Sequence, residues 1–343
     1  MISVTIERLN ERVRATRGPQ FRLPKRFGGA SFANFVIDPD FPEQREAISK
    51  IKQLIEAPEP SASRLPWRKK PPALDYHGVY LDGPPGIGKT HLLAAAYHLA
   101  DEPKLFATFD EFSAAAGTLG MVRLRQLLGG QRLVCIDEID LRDPGNIMLL
   151  TSLVRAMLAG RPRILATANA DPTVMDAGHS YAGAFQRELG EIATAFEVLG
   201  VGGVDWRASG AAAERHLPTR GDDERVVRFR ADELRRFLAA THPMYDAAWL
   251  DEVDRIQLDR LEPMGDTDEA LRFVRFIDRV YDRDVALDVE RLSVSIDDLL
   301  IAVRDDARFR LHFVRCRSRL SELLAADLAA TERMPGTAAR SVV

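Results

Sequence analysis

The chain has 343 residues, of which 46% are hydrophobic and 29% charged, with a net charge of −4 and 2 cysteines, Cys135 and Cys316. Such values fit an ordinary globular protein of about two domains. They exclude a disulfide framework and a cysteine-based metal site, the net charge by itself does not mark a nucleic-acid binder, and no apolar run is long enough to span a bilayer.

In chain order, residues 1–28 form a polar, basic leader with Arg8, Arg12, Arg14, Arg17, Arg22, Lys25 and Arg26. It reads as a helix followed by an extended arm. A solvated tail and a surface for protein, nucleic acid or membrane contact both stay open for it. There is no signal-peptide apolar core, and Glu7 and Glu11 argue against a transit peptide, so a cytoplasmic protein is expected. Phe27, Phe32 and Phe35 precede a helix predicted over 42–56, where Ile48, Ile51, Leu54 and Ile55 recur at helical spacing. Residues 58–72 read as a linker or exposed loop. Strands are then predicted at 78–81, 105–108, 133–136, 164–168 and 196–201, separated by helical stretches. That alternation argues for a parallel sheet wrapped by helices. Residues 206–221 read as a polar loop and Asp222-Asp223-Glu224 as a solvated acidic turn. Helices are predicted at 232–241, 268–282, 296–304 and 308–330, followed by a frayed tail.

The sequence Gly83-Pro84-Pro85-Gly86-Ile87-Gly88-Lys89-Thr90 fits the phosphate-loop (Walker A) pattern G-x-x-x-x-G-K-[ST] at every fixed position. An apolar strand precedes it and an Ala/Leu-rich helix follows, which is the context the pattern requires. Glycines let successive N–H groups face phosphate oxygens, and the helix start adds its positive dipole end. Lys89 is placed to reach the β- and γ-phosphates, and the Thr90 hydroxyl to bind Mg²⁺. His91 completes the stretch of candidate nucleotide contacts; with His98, His179 and His216 it shows no metal spacing, and packing or solvent is the plain reading of all four. The second signal is the apolar strand that ends in Asp137-Glu138 (Walker B). Asp137 suits the Mg²⁺ shell, and Glu138 suits a base that polarises the attacking water. A third strand ends in Asn169.

Together these blocks resemble the ZapE-type bacterial cell-division ATPases, which are related to the AFG/LACE-type AAA+ proteins. The resemblance is carried by Phe32-Ala-Asn-Phe35, Pro42-Glu-Gln44, Cys135 to Gly145, Ala166-Thr-Ala-Asn169, Phe185-Gln-Arg-Glu-Leu189, Asp205-Trp-Arg207, Ala270 to Val274, Tyr281 to Asp284 and Ser318-Arg-Leu320. Departures are Ile139 where the family has an aromatic, Ala168 where it has Ser, and a short stretch between Phe106 and Leu133 that lacks a His-rich insert.

The resemblance implies an α/β P-loop NTPase (AAA+) fold with a parallel sheet flanked by helices, followed by a mostly helical lid. The expected boundaries are a basic arm at 1–28, the ATPase domain at 29–207, a linker at 208–231, the lid at 232–332 and a tail at 333–343. It also implies an ATP- and Mg²⁺-dependent homo-oligomer. Asn169 would contact the γ-phosphate or orient water, and Arg187 would reach the nucleotide of a neighbouring subunit. Arg272 would sense the nucleotide from the lid, with Arg315 and Arg319 as alternatives. The client implied is a protein, the division-ring polymer FtsZ first, with recruitment to the division site. A helicase-loader-like ATPase acting on a nucleic-acid-bound partner is the alternative.

Overall fold

The apolar runs that alternate with helices after residue 76 are buried parallel strands in the computed structural model, which describes residues 1–57, 76–84, 86–141, 144–160, 162–168, 186–204, 223–306 and 309–332. The first half of the chain runs β1 (Ile2–Val4), α1 (Ile6–Ala15), α2 (Glu43–Glu56), β2 (Gly78–Asp82), α3 (Lys89–Leu99), β3 (Lys104–Thr108), α4 (Phe109–Leu119), α5 (Met121–Gly129) and β4 (Leu133–Ile139). It continues through α6 (Pro144–Gly160), β5 (Arg163–Ala168), α7 (Gln186–Ala195), β6 (Phe196–Gly200), β7 (Arg225–Phe229), α8 (Ala231–Ala240), α9 (Asp246–Leu250), β8 (Arg255–Leu258) and α10 (Thr267–Asp282). The last elements are β9 (Ala286–Val289), α11 (Ile296–Leu299), α12 (Ile301–Arg304) and α13 (Arg310–Glu332). Among the described residues, no helix is long and apolar enough to cross a membrane.

Two compact units form. One is built mainly from residues 27–212, the other from residues 1–20, 24–26 and 213–343. The first holds a five-stranded sheet of order β3-β4-β5-β2-β6, parallel throughout. Because side chains alternate along a strand, Val79 and Leu81 join Phe106, Cys135 and Leu165 in a core closed by Ile51, Leu92 and Leu93. Tyr80 points the other way, with Val134, Ile136, Ile164 and Ala166, into a core closed by Phe112, Leu124, Leu153 and Ile192. Burial on both faces is why these strands read as unbroken apolar runs.

The second unit is mostly helical by residue, yet it is organised on a four-stranded parallel sheet of order β1-β7-β8-β9, which the sequence pattern did not predict. Its core gathers Val227, Phe229, Ile256, Leu258, Leu287, Trp249, Phe276 and Tyr281. Three expectations are corrected here. The leader opens with the expected helix, α1, but its start is not a solvated tail: Ile2–Val4 pairs with β7, and Leu9 of α1 is fully buried in this core. The segment 208–231 is not all linker, since it supplies β7. Glu224 is not solvated; it is buried and bonds Arg255 at 2.8 Å. Short strands interrupted by charged residues, as Arg225 and Arg228 interrupt Arg225-Val-Val-Arg-Phe229, give no continuous apolar run to detect.

Candidate nucleotide site

A loop and a strand end at the carboxyl edge of the five-stranded sheet carry the site. The loop follows β2. Gly86 and Gly88 have φ of 86° and 93°, in the left-handed region that glycine enters without strain. A Cβ on Gly88 would lie 2.7 Å from Phe35 Cε2, and one on Gly83 would lie 2.1 Å from the Val201 carbonyl oxygen. The backbone is therefore pressed between the Phe32–Phe35 segment and the strand end at Val201, with room for hydrogen at these positions. Gly88 also caps α3, so that helix opens directly onto the loop. The Lys89 side chain is folded inward; its Nζ donates to the carbonyls of Gly83 at 2.6 Å and Pro84 at 2.7 Å. Pro85 lies outside the described residues.

The second part is the carboxyl end of β4 itself. Asp137 is 4% exposed, and its Oδ1 accepts the Thr90 hydroxyl at 3.3 Å and the Thr167 hydroxyl at 2.5 Å. Thr90 and Asp137, separated by 47 positions in sequence, thus meet at one oxygen. These are hard oxygen donors of the kind Mg²⁺ takes alongside phosphates and water. Among the described residues, no group of three or more His, Cys, Asp or Glu could cage a metal by itself. Glu138 has φ of 56°, an uncommon left-handed value for a non-glycine residue. The β4–β5 register slips at this point: Ile136 pairs with Ala166 and Ile139 with Ala168, so Asp137 and Glu138 together face Thr167. The Glu138 N–H, displaced from the ladder by this bulge, donates to Thr167 Oγ1 at 3.0 Å. Cys135, two residues upstream, is fully buried. Burial, and then the charge of Asp137, push its thiol pKa up, so it is an inert packing residue.

The remaining candidates are dispersed. His91 Nε2 is 3.0 Å from both the Ser31 carbonyl and Asn34 Oδ1, so its proton sits on Nε2 and its job is to hold residues 31–35 against α3. Arg187, on α7, is highly exposed and pairs with Glu191 at 3.2 Å. Glu191 also takes Arg155 at 2.6 Å; the Arg155 hydrogen bond, more than that from Arg187, holds this carboxyl below the usual range. Arg272, on α10 of the second unit, lies 3.8 Å from Asp268. Arg315 and Arg319 both bond Asp278, at 2.7 and 2.6 Å, and Arg319 is buried, so these two brace α13 on α10. Asn169 and the Asp205-Trp-Arg207 triplet lie outside the described residues.

Sequence reasoning missed Thr167 and the clamp made by Glu43 and Gln44. Glu43 accepts the Gly202 N–H at 3.0 Å and Gln44 donates to the Gly202 carbonyl at 2.9 Å, pinning the chain beyond β6 beside Ile87 of the phosphate loop. A polar β-branched residue inside an otherwise apolar strand was the available signal for Thr167.

The chain is 44% identical over 68 residues to the ATP-dependent zinc metalloprotease YME1 homolog of Schistosoma mansoni, a match that covers 18% of this chain and 10% of that protein's length. It is 24% identical over a 357-residue alignment to the cell division protein ZapE of Escherichia coli (strain K12), covering 85% of this chain and 94% of that one. Among solved structures, that of the DnaC helicase loader aligns with 14% identity and a TM-score of 0.39 over 52% of this chain and 99% of its own. The sequence profile of the AFG1-like ATPases matches residues 19–224 and 210–332. With that match spanning most of the chain, the chain belongs to the family of AFG1-like ATPases.

Proposed function

We propose that the chain uses ATP hydrolysis, the activity its family is named for, to remodel a protein client, and that Asp137 and Glu138 carry the hydrolytic step. The observation that carries this reading is the meeting of Thr90 and Asp137 at one oxygen beside a loop with no room for a Cβ at Gly83 or Gly88, with Glu138 in a left-handed turn at the end of β4. The glycine loop and the α3 N-terminus bind the triphosphate. Lys89 exchanges its two carbonyl partners for phosphate oxygens. Thr90 and Asp137 would hold Mg²⁺, which would supply positive charge to offset that of the phosphates. Glu138 accepts a proton from the attacking water. The exposure of Arg187 suits a residue that completes the site of a neighbouring copy, so a homo-oligomer is part of the proposal.

For the client, the alignment with ZapE along most of both chains supports a protein of the division apparatus, with FtsZ as the first candidate and the division site as the place of action. The basic leader, which motivated a nucleic-acid-bound client, is partly engaged: Arg8 and Arg12 pair with Glu252 at 3.4 and 3.2 Å.

Glu138→Gln is the test. It is expected to bind ATP as the wild type does and to lose turnover by about 10²–10⁴-fold, as removal of a general base does. Wild-type turnover in this variant refutes the base assignment. The same variant serves as an ATP-locked trap in a pull-down, with Lys89→Ala as the control that cannot bind. Retention of FtsZ only by the trap supports the client, and retention of a replicative helicase instead overturns it.

A further inference from the structure

The acids of the site stand two strands away from the phosphate loop, because β5 lies between β2 and β4. At the level of Asp137 and Glu138 in β4, the β5 residue is Thr167, 1% exposed and paired in register with Leu81 of β2. One hydroxyl there makes two bonds of opposite sense. It donates to Asp137 Oδ1, the oxygen that also receives Thr90, and it accepts the backbone N–H of Glu138. At the register shift two β4 residues face one β5 residue, and the Thr167 side chain receives the Glu138 N–H. That bond ties the left-handed turn at Glu138 to β5.

We infer that Thr167 is a positioning residue for hydrolysis: its hydroxyl locks the carboxylate of Asp137 and the backbone turn of Glu138 into one geometry, so the metal-side acid and the base are set together. The inference rests on the proposed role of Glu138 as base. A threonine suits the task because two substituents on Cβ restrict χ1 and hold the hydroxyl in one direction inside a strand. Valine keeps that shape and removes both bonds. Serine keeps the hydroxyl.

The experiment uses the full chain with Thr167→Val, Thr167→Ser and Glu138→Gln, alone and with Thr167→Val combined with Glu138→Gln. Steady-state ATPase, binding of a fluorescent ATP analogue and thermal melting are measured for each. The expected result is a fall in kcat of about 10–100-fold in Thr167→Val, the size set by losing two hydrogen bonds to a charged or strained group. KM and analogue affinity should stay within about threefold, since the phosphate loop is untouched. Thr167→Ser should recover most of kcat, and Thr167→Val should remove little further activity from Glu138→Gln. Wild-type kcat in Thr167→Val, or an equal loss in Val and Ser with a matching drop in melting temperature, overturns the inference. Wild-type turnover in Glu138→Gln sinks the base assignment, whatever Thr167 does. An inactive Glu138→Gln beside a fully active Thr167→Val sinks this inference alone.

Discussion

At single positions, the site is a matter of which atoms are missing. Gly88 shows this best. Its φ of 93° costs a side-chain-bearing residue roughly 1–2 kcal/mol, and the added Cβ would press on Phe35 at 2.7 Å. Phe35 is held in turn by its segment: Asn34 and Ser31 bond each other, and His91 bonds both. The ring therefore has little freedom to retreat. Gly88→Ala should weaken binding of a fluorescent ATP analogue by at least about tenfold, the equivalent of that backbone strain alone, and unchanged affinity would show that the loop accommodates a methyl group. The loop was legible in the sequence because its chemistry needs a fixed spacing of glycines, a lysine and a hydroxyl. Asp137 and Glu138 were legible because an apolar strand ends on them. Thr167 was not, since its role appears only when a bulge sets two residues opposite one, and a register shift between strands leaves no trace in a sequence.

Among elements, the two sheets differ in how openly they are written. The strands of the first are apolar on both faces, and all five were predicted to within a residue or two at their start. Those of the second are three to five residues long, and three of the four include a charged residue, Arg255 in β8 among them. That arginine is buried, where Glu224 and Asp288 compensate it at 2.8 and 2.5 Å. A buried charge with two partners is acceptable to the fold and misleading to a reader of hydropathy. The same applies to α1, whose six polar positions conceal the apolar anchor Leu9. Leu9 is completely buried among the residues of the second core, so Leu9→Ala removes about 2–5 kcal/mol from that unit. Chemical denaturation measures this directly; a loss under about 0.5 kcal/mol, the usual surface value, would mean that the leader does not hold the second unit together.

For the molecule as a whole, the chain enters the second unit, builds the first and returns to finish the second. Two such units need not melt together, and a single unfolding free energy is then undefined. Their acid sensitivity should separate them. In the second unit, Asp254 receives the Arg225 guanidinium at 2.7 and 3.0 Å and the Arg225 backbone N–H at 3.0 Å. The side-chain hydrogen bond from Arg225 is the main cause of a carboxyl held below its ordinary value, against the opposing effect of burial. The ionised form is thus favoured by folding. Its contribution is present above the unfolded value of about 3.9, and it is lost as pH falls through the lower folded value. Asp246, fully buried beside Arg275, has the opposite sign, because burial raises its value above that of the unfolded chain. Acidification therefore removes one stabilising term and relieves one penalty in the same unit, and only a variant can separate them. Calorimetric scans at pH 7 and pH 3 on the wild type and Asp254→Asn make the comparison. At pH 7, Asp254→Asn should lower the transition that Leu9→Ala also lowers and leave unmoved the one that ATP raises. At pH 3 the gap between Asp254→Asn and the wild type should shrink, since protonation does to the native aspartate what the amide does permanently. A gap that stays constant with pH would mean that the Arg225 pair contributes packing rather than charge.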